Sequence, residues 1–268
     1  MCKVDRVFRA CGTTPTSLFF STTEVDDLTT SQPHEMTVSQ AAEAIALRSL
    51  SPVELMQSLL ERSSTQDPVL RVWETLDEDA AMEAARRSEQ ALSRNETIGR
   101  LQGVPLGIKD IFNTQGMRTS SGSPIYADFV PDHDSTAVAR LKSDGAIVMG
   151  KTVTTEFASF DPPPTRNPWG LDHTPGGSSS GSAAGVAARM FPAALGSQTA
   201  GSVLRPASYN GVVGFKPTLG RISRHGVFPV TWSVDTLGYF TRSVEDAALL
   251  LDVLAGHDPL DTASSESP

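Results

Sequence analysis

Between Pro175 and Pro206 the chain passes through two glycine- and serine-rich turns, PGGSSSGSAAG and LGSQTAGSVLRP, with a short apolar run between them. Residues this small let main chains approach closely and bring backbone N–H groups and hydroxyls toward one point. A fold that carries both turns has to pack them between regular elements, and the pattern suits a serine hydrolase that does not rely on histidine. A flexible linker fits poorly, because an alanine-rich helical stretch follows at once. Two further readings of the first turn stay open at this level. Gly176 and Gly181 have phosphate-loop spacing, but Ser182 stands where that loop needs lysine. Gly177 to Gly181 also fits a G-x-S-x-G nucleophile elbow, with Asp235 or Asp252 and then His257 in the required order, although Leu171 to Pro175 makes a poor preceding strand.

Composition narrows the surroundings of these turns. The 268 residues, 39% hydrophobic and 20% charged, suffice for one substantial core. A net charge of −9 with no basic cluster argues against a nucleic-acid partner. Cys2 and Cys11, the only cysteines, are too few for a disulfide framework or a zinc site. No metal or cofactor is expected, and a reducing cytoplasm is the expected location. No window reaches the roughly 18 apolar residues of a membrane span. Lys3, Arg6 and Arg9 leave an organelle presequence as the minor alternative to a disordered extension over residues 1–35, with Met36 as an alternative start.

Helical periodicity begins after Met36. Thr37 and Ser39 can cap a helix near 38–48, and Ser51-Pro52-Val53-Glu54 combines N-cap, N1 proline and capping box for a second near 52–63. Val69 to Leu76 reads as a strand, and Asp77 caps a helix to about Ser93. From Val104 the pattern becomes α/β. Val104 to Ile108, Ala146 to Gly150 and Ala193 to Leu195 read as buried strands, with helices over Ser135–Ser143 and Ala183–Met190. Val203 opens a helix that Pro206 should soon break, and Ser243 caps a last helix that Gly256 ends. The expected architecture is an α/β domain over residues 36–258, a mixed sheet covered on both faces by helices, followed by a frayed polar tail, 259–268.

Lys109 closes the apolar Val104–Ile108 segment and precedes Asp110, Ile111 and Phe112. Burial there would disfavour its ammonium form and fit it to act as a base; the plainer reading is a strand-end lysine that reaches water or pairs with Asp110. Gly107-Ile108-Lys109-Asp110, Gly150-Lys151-Thr152 with Glu156-Phe157-Ala158, Pro175 to Ser179, Gly196 to Ser202 and Gly214-Phe215-Lys216-Pro217-Thr218 recur in one order. Lys109 precedes Ser178 by 69 positions (178 − 109), and Ser178 precedes Ser202 by 24 (202 − 178). In these motifs the chain resembles the amidase signature family of serine hydrolases, from about Thr37 to Asp258.

The resemblance implies a Ser, cis-Ser, Lys triad in the amidase signature fold. Ser202 would be the nucleophile, Ser178 the bridging serine after a cis peptide bond, and Lys109 the base. Thr199, Ala200 and Gly201, with Ser179 nearby, would form the oxyanion hole and substrate contacts. The implied activity is hydrolysis of a small-molecule amide through a Ser202 acyl-enzyme. Alternatives are the glutaminase subunit of a tRNA-dependent amidotransferase and an inactive truncated remnant or scaffold; a homodimer is an open partner reading. Three departures stand out. Gln198 and Ala200 replace an aspartate and a glycine, and if position 200 needs positive φ the alanine costs about 1 kcal/mol. Leu204 replaces an arginine that here falls one place later, at Arg205. Family members usually continue well past Asp258, so the C-terminal part, with much of the acyl pocket, is expected to be missing. Met117 to Phe129 and Phe160 to Asp172 are the local pocket candidates.

Overall fold

A computed structural model describes residues 32–96 and 99–267. The readings on Cys2, Cys11, Lys3, Arg6 and Arg9 lie outside the described residues. The body from Gln32 onward begins with a 3-10 turn at Pro33–Glu35, ahead of the boundary expected at residue 36. Helices α1 (Val38–Ala46) and α2 (Pro52–Leu70) start where their caps predict. Thr37 with Gln40, and Ser51 with Glu54, each exchange side-chain and backbone hydrogen bonds in a capping box.

Helix α2 continues past residue 63 and through Pro68 to Leu70. It ends where the Asp67 carboxylate accepts the N–H groups of Val72 and Trp73 at 2.7 and 3.0 Å, with Arg71 at φ 54° taking the left-handed cap. That extension removes Val69 to Leu70 from the expected strand, so β1 is only Trp73–Leu76. Helix α3 (Glu78–Ser93) follows its Asp77 cap.

The remaining strands are β2 (Pro105–Lys109), β3 (Ile147–Thr152), β4 (Ala193–Gln198), β5 (Val213–Phe215) and β6 (Thr236–Thr241). They join β1 in one six-stranded sheet of order β1-β3-β2-β4-β6-β5. The central β3, β2 and β4 run parallel, and β1, β6 and β5 pair antiparallel at the flanks. Every residue of β2, β4 and β6 is buried, which requires cover on both faces. That cover comes from α4 (Thr136–Ser143), α5 (Ser180–Ala187) and α7 (Val244–Leu254) together with the N-terminal helices. The mixed α/β sheet expected from the sequence is the one present. Its topology brings the carboxyl ends of β2, β3 and β4 to the same edge, where open α/β sheets place their sites.

Three elements depart from expectation. Helix α6 (Leu204–Asn210) is not broken by Pro206, because proline falls in the first turn, where N–H groups have no intrahelical partner. Strands β5 and β6 escaped notice because Gly238 interrupts the pattern Thr236–Thr241. A Cβ on Gly238 would stand 2.3 Å from the Phe215 carbonyl oxygen, so the close β5–β6 approach needs glycine. The tail expected to fray over 259–268 is instead held through residue 267. Buried Asp261 accepts bonds from the Arg224 guanidinium and main-chain N–H, and the Ser265 N–H donates to Gly220 O at 2.9 Å. A charged pair out of reach of water outweighs the polar composition that suggested fraying.

Gly238→Ala is expected to push β5 away from β6 and to lower unfolding free energy by about 2 kcal/mol, read from the urea midpoint.

Candidate active site

Lys109 is the last residue of β2 and is fully buried. Its Nζ donates to Ser178 Oγ at 2.8 Å and to Ser197 Oγ at 2.9 Å. Both partners are neutral hydroxyls, so nothing in contact compensates an ammonium charge. Burial therefore pulls its pKa down from 10.5 to about 7, a shift that the more distant Asp235 carboxylate opposes. The alternative pairing with Asp110 is not made. Asp110 faces the other way, 3.3 Å from Nζ of a second buried lysine, Lys151, which also donates to Phe112 O and Thr119 Oγ1. Burial lowers Lys151 as well, to about 8, and Asp110 offsets part of that effect.

The five residues from Gly177 to Gly181 place each serine on a different task. The Gly177–Ser178 peptide bond is cis, and only the Ser178 hydroxyl reaches Lys109. Ser179, expected among the substrate contacts, exchanges bonds of 3.3 Å with the backbone of Ser197. Ser180 donates to Gly176 O, and Ser182 donates to Leu195 O beside Thr152. Ser182 is thus a buried brace between α5 and the sheet, at the position where a phosphate loop would carry lysine. The elbow reading also fails to assemble: His257 is exposed and offers its carbonyl to Arg140, and Asp252 pairs with Arg100.

The second turn follows β4 directly. Gln198 Oε1 accepts the N–H groups of Val203 and Leu204, both at 2.9 Å, and so folds the intervening residues into a loop. Within it, the N–H groups of Thr199, Ala200, Gly201 and Ser202 donate to no other described residue. Ala200 does not have positive φ, so alanine is unstrained there and the anticipated cost does not arise. Arg205 donates to Gly177 O through Nε and Nη2 at 3.2 and 2.7 Å, which ties the two turns together. Ser202 is 9% exposed at the head of this loop, and among the described residues its hydroxyl makes no hydrogen bond to Ser178.

Sequence reasoning missed Ser197, the second partner of Lys109, and the reach of Asp235. The Asp235 Oδ1 accepts from Thr199 Oγ1 at 2.5 Å, and Oδ2 accepts the N–H groups of Val230 and Thr231. Ser197 was legible in principle, since it lies inside the Gly196–Ser202 motif; Asp235, considered only as the acid of a nucleophile elbow, comes from a separate loop and meets Thr199 instead. Of the two local pocket candidates, Phe160 to Asp172 supplies a wall, while Met117 to Phe129 contributes to a cluster of rings instead. Phe160 and Pro162 line a cavity of about 280 Å³ with Gly177, Arg205 and Tyr209. Tyr126 and Phe129 gather with Phe157 and Phe228, and Phe228 reaches a cleft shared with Ser197 and Asp235. No helix among the described residues is long and apolar enough to cross a membrane, and none of their His, Cys, Asp and Glu side chains gather in groups of three or more suited to a metal.

The family model described as Amidase matches residues 54–268. A glutamyl-tRNA(Gln) amidotransferase subunit from Desulforapulum autotrophicum is 45% identical over 238 residues, covering 87% of this chain and 48% of that protein. Among solved structures, the native peptide amidase from Stenotrophomonas maltophilia superposes with TM-score 0.82 at 37% identity, over 87% of this chain and 50% of that one. The corresponding glutamyl-tRNA(Gln) amidotransferase subunit from Thermotoga maritima gives TM-score 0.75 at 37% identity, over 88% and 50%. The chain spans about half the length of the relatives it matches.

Because the folded pKa of Lys109 lies below its unfolded value, the unfolded chain binds more protons between about pH 7 and 10.5, and wild-type stability gains from rising pH across that window. The difference in unfolding free energy between Lys109→Met and wild type should accordingly shift in the variant's favour as pH falls from 10.5 to 7, measured by denaturant titration at several pH values.

Proposed function

The chain belongs to the amidase family, and we propose that it hydrolyses the C–N bond of a small carboxylic amide through an acyl-enzyme on Ser202. The observation that carries this reading is Lys109: a buried amine with two hydroxyl neighbours and a pKa of about 7, beside a turn whose N–H groups have no partner among the described residues. Near neutral pH about half the molecules hold it uncharged. With one N–H given to Ser197, the neutral amine turns its lone pair to the Ser178 hydroxyl.

In the proposed sequence Lys109 takes the Ser178 proton while Ser178 takes the proton of Ser202, and the Ser202 oxygen attacks the amide carbon. The tetrahedral oxyanion accepts the free N–H groups between Thr199 and Ser202, an arrangement that costs no reorganisation because Gln198 and Arg205 already hold the turn. As the C–N bond breaks, the proton returns from Lys109 through Ser178 to the leaving nitrogen. Water then attacks the acyl-Ser202 carbonyl, giving up its proton along the same relay, and the acid departs. Ser202 and Ser178 must approach within hydrogen-bond distance in the substrate complex, a tightening common to sites seen without substrate. The cytoplasm is the proposed location, on the strength of the two-cysteine composition.

A second reading is favoured by the relatives named as amidotransferase subunits: the same triad releasing ammonia from glutamine within a complex. Glutamine turnover that appears only with added partner subunits, and no turnover of simple amides by the chain alone, would select it. For the first reading, ammonia release from aliphatic or aromatic amides should rise with pH through about 7 and then level off, following deprotonation of Lys109. Ser202→Ala and Lys109→Ala should each lower kcat/KM at least ~10³-fold. A fluorophosphonate probe should modify Ser202 in wild type only; a folded wild-type chain that resists the probe counts against both readings.

A further inference from the structure

Asp235 lies in the loop between β5 and β6, outside both serine turns, yet it touches the second of them. One carboxylate oxygen accepts the Thr199 hydroxyl at 2.5 Å, and the other accepts the N–H groups of Val230 and Thr231 at 2.7 and 2.8 Å. The loop it closes forms one wall of the cleft next to Ser197, together with Arg224, Val227, Phe228 and Leu237. Asp235 is only partly buried, so it can be altered without opening the core.

The charges around Lys109 single it out. On β3, Lys151 is engaged by Asp110. On the loop from β5 to β6, Arg224 is paired with Asp261 and lies over the Trp232 ring. On α6, Arg205 is committed to the Gly177 carbonyl. From β4 and the first serine turn only hydroxyls meet the amine. Among the described residues, Asp235 is the one charge whose field acts appreciably on Lys109.

We propose that Asp235 is a positioning residue of this site: its carboxylate fastens the Thr199–Ser202 turn to the loop that walls the cleft, and sets a single negative charge over the Lys109–Ser197 contact. The two roles separate by mutation. In Asp235→Asn the amide oxygen can stay on the Val230 and Thr231 N–H groups while the NH2 donates to Thr199 Oγ1, so the link is kept and the charge removed; Thr199→Val removes the bond and keeps the charge, still held by the N–H groups of Val230 and Thr231. This role rests on the amidase reading, but its test does not depend on turnover.

The experiment follows the Lys109 side chain by 13C NMR in protein labelled at lysine Cε, assigned with Lys109→Met, and follows amide hydrogen exchange at Val203 and Leu204, whose N–H groups Gln198 holds at the end of the same turn. A negative charge favours the ammonium form. The Lys109 midpoint should therefore move to lower pH in Asp235→Asn and stay at its wild-type position in Thr199→Val. Exchange at Val203 and Leu204 should quicken in Thr199→Val and in Asp235→Ala. An unmoved midpoint in Asp235→Asn, or unchanged exchange in the other two variants, overturns the proposal. Failure of the amidase reading looks different: wild-type Ser202 ignores the fluorophosphonate probe while the titration and exchange behave as stated.

Discussion

A primary amine held out of water with nothing but hydroxyls to bond is the condition on which this site rests. An ammonium in that setting lacks both hydration and a counter-ion, and the neutral form is favoured by several kcal/mol relative to water. Keeping it so requires that the nearest carboxylate be occupied. Asp110 is adjacent in sequence to Lys109 but is spent on Lys151, on Ser120 and on the loop behind it. Two buried lysines and one buried aspartate thus divide into an ion pair and an amine bonded to hydroxyls. The division follows from strand geometry, since successive side chains leave a strand on opposite faces.

The serine-rich run shows how little of such a motif is chemical in the direct sense. One hydroxyl meets the amine, and the others satisfy backbone groups where α5 crosses close to β4. Interiors tolerate few unpaired polar groups, so each serine at this crossing carries a partner with it. The departures from the family pattern within the second turn resolve in the same local terms. Gln198 reaches the two N–H groups that open α6, Ala200 keeps ordinary backbone angles, and Arg205 spans to the carbonyl that precedes Ser178. Position 204 is left as a half-exposed leucine with no polar task.

Much of the architecture is legible in the sequence, because it is written in local signals. The Thr37 and Ser51 capping boxes, the Asp77 and Ser243 caps and the apolar runs ending at Lys109 and near Gly150 each declare an element by themselves. What stayed hidden depends on tertiary partners. Strands β5 and β6 make sense only against each other, with Gly238 admitting the Phe215 carbonyl. The length of α2 is decided by Asp67, three residues before its end. At the site, Lys109, Ser178 and the second turn were reached through the family resemblance of their motifs, while Asp235, offered by the sequence only as the acid of a nucleophile elbow, meets Thr199 through a tertiary contact that no motif records.

The anchored residues after Asp258 give the molecule an unexpected mechanical continuity. Asp261 grips Arg224, whose guanidinium also donates to the Trp232 carbonyl and lies over its ring. Trp232 belongs to the loop that Asp235 joins to Thr199. Four short contacts in series therefore run from a segment that looks dispensable to Thr199, in the turn proposed to receive a negative oxygen. Trimming that segment, or fusing a bulky partner to it, amounts to slackening a guy-line at its ground peg: the mast that sways stands at the other end.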